Sequence, residues 1–500
     1  MSARASNLAR LPKGMRDVPA SEVRLIESLL GNVRRVYDLY GFEPLDTPTF
    51  EYSDSLGKFL PDQDRPNEGV FSFKMEEDAW VSLRYDLTAP LARYVALESQ
   101  ALAKPYRRYQ SGYVYRNEKP GPGRFCQFMQ FDADTVGTED LAADAEACMV
   151  MADALEACGI PRGGYLVKVN NRKILDGALD AAGLRLDDAI NGQARRLTIL
   201  RAIDKFDKFG VEGVAQLLGK GRRDESGDFT RGADLSGKEI DLIFSFVNVG
   251  SGNRRQLLDR ISPLVETSAV GREGLAELDN IDSILTGCGF GSDRICIETS
   301  IVRGLEYYTG PVFEADLQIE ALGGNADVPR FGSVGSGGRY DDLVARFTGQ
   351  KVPATGSSIG VSRLIAAFEA IKGASPARNG PVVVLVMDRD KKQAYMQMTQ
   401  ALRNAGIRAE MYLGSSGMKA QLKYADRRNS PLAIIQGTDE RQNGEVKIKN
   451  LIEGARAADS IADNKTWRQN NVAQISVTET KLVETVREML ATIDQDSTQA

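Results

Sequence analysis

Five hundred residues are too many for one small core, and at roughly 100–200 residues per domain the chain is expected to be multidomain. With 42% hydrophobic residues, 26% charged residues and a formal charge of -6, the composition is that of an ordinary folded chain; it argues against a non-specific basic coat for nucleic acid, while leaving room for local basic surfaces. The sequence contains no histidine, which removes the usual general base near neutral pH, the Ser-His and Cys-His nucleophile systems and the commonest metal ligand, so any chemistry must rest on Arg, Lys, carboxylates, Tyr and bound ions.

The first ten residues carry Arg4 and Arg10 without an apolar signal core. After this polar start, Pro19, Ala20 and Ser21 open a helix whose apolar residues Ile26, Leu29, Leu30, Val33, Val36, Tyr37 and Tyr40 recur at three- and four-residue spacing and stop at Gly41. Residues 41–49 read as a turn and an edge strand, because Pro48 cannot donate into a central ladder; such an edge is either an oligomer contact or simply blunted by proline. Residues 71–73 and 80–83 suggest a hairpin, and 84–90 a strand-to-helix junction. There Asp86 and Thr88 either hold an ammonium group or, more commonly, cap the helix through Leu91, Tyr94 and Val95.

Residues 109–118 and 125–131 form a second predicted hairpin, joined by the basic Gly/Pro loop 119–124 and followed by Asp132 and Asp134. Such a ribbon can fold over a polyanion, with Arg116 and Arg124 flanking the loop for phosphate oxygens and Phe128 offering an aromatic face. Thr138 is expected to cap a helix over 139–157, and 165–170 to be a strand. From 172 to 285, helical periodicity with long polar connections such as 219–228 reads as a mostly helical insertion. Gly213 through Gly219-Lys220 is one residue too long for a P-loop, and Gly221 stands where Ser or Thr belongs.

Strands resume at 294–297 and lead into 301–310, where Arg303, Glu306, Tyr307 and Tyr308 crowd between apolar residues and glycine. This stretch is either a ligand wall or a strand-turn-strand carrying an ordinary Arg-Glu pair. Residues 313–317 continue the strands, and the small residues of 332–341 allow close packing of backbone or close approach of a ligand. In 356–364 a strand passes into a helix with Arg363 in its first turns, where a cation opposes the helix dipole and an external anion would rationalise it. Beyond a linker at 373–380, strands and helices alternate up to a final helix, with Ser476-Val477-Thr478-Glu479 as its capping box. Cys126, Cys148, Cys158, Cys288 and Cys296 form no CxxC pair, so reduced thiols are expected and no zinc site is visible. Apolar runs as short as 382–387 cannot span a bilayer, and a cytoplasmic protein without membrane contact is expected.

Taken together, Arg116, Glu118, the strand 125–131 and residues 360–364 with Arg363 resemble motifs 2 and 3 of the class II aminoacyl-tRNA synthetases, and 41–49 resembles motif 1. Residues 301–310 and 337–341 resemble the two signature segments of histidyl-tRNA synthetases, so the motifs occur in that family's order over nearly the whole chain. The resemblance implies an α/β (α+β) protein with a class II antiparallel-sheet catalytic core in two parts, 1–171 and 287–373. A mostly helical insertion at 172–286 divides the core, and an α/β anticodon-binding domain occupies 380–500. It implies a homodimeric ligase that activates L-histidine with ATP and Mg²⁺ to histidyl-adenylate and passes the acyl group to the 3′ end of tRNA(His).

The same resemblance assigns Arg116 to the α-phosphate, Arg124 and Arg363 to the terminal phosphates, Phe128 and Glu118 to adenine, and Arg303 to the transition-state charge. It gives the substrate's amino group to Asp86, Thr88 and Gln130, its imidazole to Asp134 and Tyr308, and the pocket walls to Tyr307 and Tyr340. Asp86 departs from the Glu of many bacterial relatives, and Cys126 stands where a tRNA or ATP contact is expected to have been replaced. The alternative is a silent histidine-binding regulator of ATP phosphoribosyltransferase, but such paralogues lack the last domain and degrade the signatures, both retained here. A synthetase free of its own cognate residue can be translated under histidine starvation, chance being the competing explanation.

Overall fold

Helix α1 (Ala20–Leu39) forms because Ile26, Leu29, Val33, Val36 and Tyr37 share one face and are buried, and it ends at Tyr40, after which Gly41 takes a φ of +75° that favours glycine. The structure is a computed structural model that describes residues 9–56, 69–75, 79–121, 123–181, 183–184, 191–223, 227–301, 308–324, 328, 331–372, 380–454 and 473–499. The chain divides into two units, Met1–Gly373 and Ala374–Ala500.

The first unit is built on an eight-stranded sheet. In chain order its strands are β1 (Glu43–Pro44), β2 (Tyr106–Tyr115), β3 (Gln127–Val136), β4 (Tyr165–Asn171), β5 (Ile295–Ile297), β6 (Pro311–Leu317), β7 (Gly335–Arg339) and β8 (Ala354–Ile359). They lie side by side as β1-β2-β3-β8-β7-β6-β4-β5, antiparallel throughout except for the parallel pairs at the two edges. After α1 and α2 (Thr88–Glu98) in chain order comes α3 (Ala142–Ala157); one face of the sheet carries α1, α3 and the helix Val361–Lys372, whose apolar residues join Phe131, Ala133, Val167 and Phe313 in a common core. Tyr37 sits at its centre, fully buried, edge-on to Phe131 at 4.9 Å between centroids.

This is the mixed α/β architecture expected, with local differences. The hairpin ladder of β2 and β3 lies farther from its loop than predicted, so Asp132 and Asp134 are strand residues while Arg116 and Glu118 follow the strand. Pro48 is not in a strand; the edge is made by Glu43–Pro44. Thr138 does not cap α3: its Oγ1 accepts from the Asp140 amide in a turn, and Asp140 Oδ1 in turn accepts from the Ala142 amide, so the helix starts later. Residues 172–287 form helices packed back on the core through the helix Ala269–Gly287. Part of the polar connection in that region pairs instead as a short hairpin, Gly221–Arg223 with Phe229–Arg231.

The second unit is a five-stranded mixed sheet around Val382–Val384, with helices Lys392–Asn404 and Met418–Arg427 among its crossovers. Its last helix starts at Leu482. Ser476 belongs to the preceding strand and Thr478 makes no side-chain cap, so the expected capping box is absent, the strand ladder having claimed its first residues. No helix among the described residues is long and apolar enough to cross a membrane, and the five cysteines are free thiols.

Candidate functional site

Side chains two apart on a strand share a face, and on β3 this puts Phe128, Gln130, Asp132 and Asp134 in one row while Phe131 and Ala133 turn into the core. The row forms one wall of a cavity of about 600 Å³, a size ordinary for small-molecule sites. Asp86, Thr88, Arg116, Glu118, Arg124, Tyr308, Tyr340 and Arg363 line the same space, so eleven of the thirteen residues singled out by resemblance are brought together. The other two, Arg303 and Tyr307, lie outside the described residues.

The deepest part of the cavity is acidic and tightly held. Arg108 on β2 stands opposite Asp134 in the ladder, has no solvent exposure, and brings Nη2 within 2.8 Å of Asp134 Oδ2 while donating to the Leu87 carbonyl at 2.9 Å. From the other side the Tyr340 hydroxyl donates to Asp134 Oδ1. Gly356 faces Asp134 across the β3–β8 pair, where a Cβ would collide with Oδ1. Burial pushes the Asp134 carboxyl up from its ordinary range, with the Arg108 charge and the Tyr340 hydrogen bond opposing. Burial drives Asp132 up to about 7, Arg108 opposing and the neighbouring Asp134 charge adding to it. Gln130 Nε2 donates to Ser358 Oγ at 3.1 Å.

At the mouth, Asp86 Oδ1 accepts the amides of Thr88 and Ala89 at 3.2 and 2.9 Å, so Asp86 caps the helix Thr88–Glu98 and lines the cavity at once. The Arg116 guanidinium lies 4.3 Å from the Tyr85 ring and 5.2 Å from that of Phe128, with Nε toward the Tyr85 carbonyl at 3.3 Å. The Tyr85 hydroxyl donates to Glu118 at 3.2 Å, and burial pushes its phenol up to about 12. Arg363, in the first turn of its helix, donates to the Ser333 carbonyl at 2.6 Å. Carboxylates and arginines thus line one cavity, a chemistry suited to a ligand that carries charges of both signs.

The glycine-rich segment before Tyr340 is a strand, β7, closely packed against β8, where a Cβ on Gly337 would collide with the Gly356 carbonyl. Arg339 points away from the ligand space to buried Asp144, with Nε at 3.1 Å, and to the carbonyls of Thr138 and Asp140 at 3.1 and 3.3 Å. Cys126 is not a surface contact: it is buried beneath Gly14, its amide donates to that residue's carbonyl at 2.9 Å, and its thiol donates to the Glu118 carbonyl at 3.5 Å. It ties the N-terminal segment to the hairpin loop.

Sequence reasoning missed Arg108, Asp132, Tyr85, Arg201 and Asp204, although four of these line the cavity and Arg108 anchors its floor. The strand period would have selected Asp132 beside Asp134, and extending the hairpin ladder would have set Arg108 opposite. Arg201 ends the helix Asn191–Ile203 of the insertion and Asp204 follows it; only tertiary packing brings them over the site.

Comparison with known proteins yields a consistent set of likenesses. A family model described as Histidyl-tRNA synthetase matches residues 14–364, and one described as Anticodon binding domain matches 381–489. The histidine–tRNA ligase of Brucella ovis is 56% identical over 485 residues, covering 96% of both chains. Among solved structures, the histidyl-tRNA synthetase of Nostoc sp. PCC 7120 superposes with a TM-score of 0.71 at 28% identity, covering 96% of this chain and 99% of that one. A Bacillus halodurans chain described as an ATP phosphoribosyltransferase regulatory subunit/histidyl-tRNA synthetase gives a TM-score of 0.64 at 21% identity, covering 83% and 96%, and shares the fold alone.

Proposed function

The chain belongs to the histidyl-tRNA synthetase family and is an enzyme that charges tRNA with histidine, not the regulatory paralogue, and from that premise we propose how its residues divide the reaction. The observation that carries the reading is Asp134, buried at the floor of the cavity and fixed from two sides by Arg108 and Tyr340. An acceptor held this rigidly, with Tyr308 beside it, pairs with the imidazole nitrogens of histidine in a way apolar analogues cannot satisfy. Asp86, Thr88 and Gln130 take the amino group, and Tyr307 and Tyr340 line the pocket.

ATP is the second substrate. Arg116 holds its α-phosphate, Arg124 and Arg363 the terminal phosphates, Phe128 stacks on adenine and Glu118 meets its edge. A histidine carboxylate oxygen forms the new bond to the α-phosphorus as the bond to the pyrophosphate oxygen breaks. No proton changes hands in that step, so a chain without histidine needs no general base; positioning and charge neutralisation, with Arg303 at the pentavalent centre, supply the catalysis. The tRNA terminal ribose hydroxyl then takes the acyl group and AMP leaves. Among the described residues no three carboxylate or thiol groups converge on a metal position. Mg²⁺ would enter with the ATP phosphates and keep most of its waters.

The enzyme is proposed to work as a homodimer in the cytoplasm. Supporting the dimer is a small sheet, Phe50–Tyr52, Ser72–Lys74 and Trp80–Leu83, that exposes Phe50, Tyr52, Phe73 and Trp80, with Phe50 edge-on to Phe73 at 5.3 Å. Light scattering on the wild type and on Phe73→Asp tests it, a monomeric wild type being the adverse result. The activity itself is tested by histidine-dependent exchange of pyrophosphate into ATP and by charging of tRNA(His); a clean protein inert at saturating substrates and Mg²⁺ would reject the mechanism.

A further inference from the structure

Asp132 is the one strongly buried carboxylate of the cavity to which the mechanism above gives no task. Its side chain lines the space between Gln130 and Asp134, is 3% exposed, and leaves Oδ1 without a hydrogen-bond partner. A buried acceptor with no donor is costly, of the order of 1–3 kcal/mol, and calls for an explanation. Arg108 shares the cluster, with Nη2 on Asp134 and the Leu87 carbonyl and with Nε and Nη1 buried without hydrogen-bond partners, yet none of these donors bonds Asp132 Oδ1. Asp86 approaches from the helix junction closely enough for its charge to act on both buried carboxylates. The other groups facing Asp132 are Ser358 from β8, which offers it a hydroxyl, the Tyr37 phenol from α1 and the Arg84 guanidinium. What this cluster lacks is a donor for Asp132 Oδ1, even with the Arg108 and Arg84 guanidinium groups close by.

We propose that Asp132 is a further histidine-binding residue, supplying a second carboxylate beside Asp86 for the substrate's α-ammonium group, with Arg108 as the positioning residue that allows Asp132 and Asp134 to occupy one buried cluster. The inference rests on the histidine site described above. Burial raises the Asp132 carboxyl to about 7; an arriving ammonium favours the ionised form, so the fraction that carries a proton releases it as the cation enters. Gln130, bonded to Ser358 at 3.1 Å, and Asp132, bonded to the same hydroxyl, then act as neighbouring acceptors on one strand face. The signs follow: binding is strengthened where Asp132 is ionised, and that contribution fades as pH falls through about 7.

The test compares wild type with Asp132→Asn, using L-histidine, L-histidinol, which keeps the ammonium group, and imidazolepropionate, which lacks it. At pH 8 the variant should bind histidine and histidinol about ten- to a hundredfold more weakly, the range of a charge-assisted hydrogen bond, with imidazolepropionate and the KM for ATP little changed. The ratio of wild-type to variant histidine affinity should shrink toward unity below about pH 6.5, a pH profile that a merely structural role would not produce. Equal weakening of all ligands, or none, overturns the proposal. A measurement on wild type alone guards against a misfolded variant: calorimetry near pH 7 in two buffers of different ionisation enthalpy should read more proton release on binding histidinol than imidazolepropionate, and equal release overturns the proposal. Arg108→Met should move the acid limb of histidine binding to higher pH, and an unmoved limb removes Arg108 from the role. Wild type without histidine-dependent pyrophosphate exchange would defeat the underlying site assignment; exchange without ligand discrimination would defeat only the part given to Asp132.

Discussion

Replacing Arg339 by methionine removes a guanidinium that is 7% exposed and satisfies a carboxylate with no exposure at all. Its loss strands Asp144 and leaves the carbonyls of Thr138 and Asp140 without the donors they have at 3.1 and 3.3 Å. Breaking a buried pair from one side costs about 3–5 kcal/mol. In a unit the size of Met1–Gly373 that corresponds to a fall of about 5 °C in the first thermal transition, by extrapolating the usual entropy per residue. The loss should depend on pH in a defined direction. Burial already raises the Asp144 carboxyl to about 6, with Arg339 opposing, so removing Arg339 raises it further. Above about 6 the wild type keeps an ionised, paired carboxylate while the variant must either protonate it or bury it unpaired. Below that, both bind the proton and the two proteins converge. Thermal denaturation at pH 8 and pH 5.5 should therefore show the larger deficit at pH 8, and Asp144→Asn combined with Arg339→Met should recover part of it. A deficit of equal size at both pH values would refute the electrostatic account and leave only lost packing.

Arg303→Ala should lower the rate of adenylation by roughly 10²–10³, as loss of a transition-state donor does, while histidine affinity changes far less; comparable losses in both would make Arg303 a binding residue. Gly356→Ala places a methyl against Asp134 Oδ1 and should raise the KM for histidine about tenfold or more with the KM for ATP nearly unchanged, whereas an unchanged histidine KM would show that Asp134 can move aside. Introducing several surface histidines into a chain that has none should reduce its synthesis in histidine-starved cells relative to the wild type, and equal synthesis would end the starvation argument.

The parts of the fold that were legible are those where one period dominates. Helix α1 shows its buried face in the spacing of Ile26, Leu29, Val33 and Val36, and its end in Gly41. The expected cap at Thr138 and the expected capping box at Ser476 failed for a common reason: both residues had local alternatives, a turn at Asp140 and a strand ladder at Val446 to Lys449, that satisfied the backbone first. Arg201 and Asp204 carry no local signal, because their place above the cavity depends on how the insertion packs against α3 and β4.

The site was legible in the residues that line its cavity, and obscure where they hold one another. Asp134 was readable as an acceptor, but its state depends on Arg108, a residue far back in the same hairpin and indistinguishable in sequence from its half-buried neighbour Arg107. On the strand the two alternate: Arg107 turns outward to Glu146 and the Phe42 ring at 4.4 Å, and Arg108 turns inward to the carboxylates. The adjacent pair Arg107-Arg108 is therefore two devices, one fastening the helix layer to the sheet and one setting the charge of the cavity floor. Period-2 geometry separates them, and only the register against β3 decides which of the two meets Asp134.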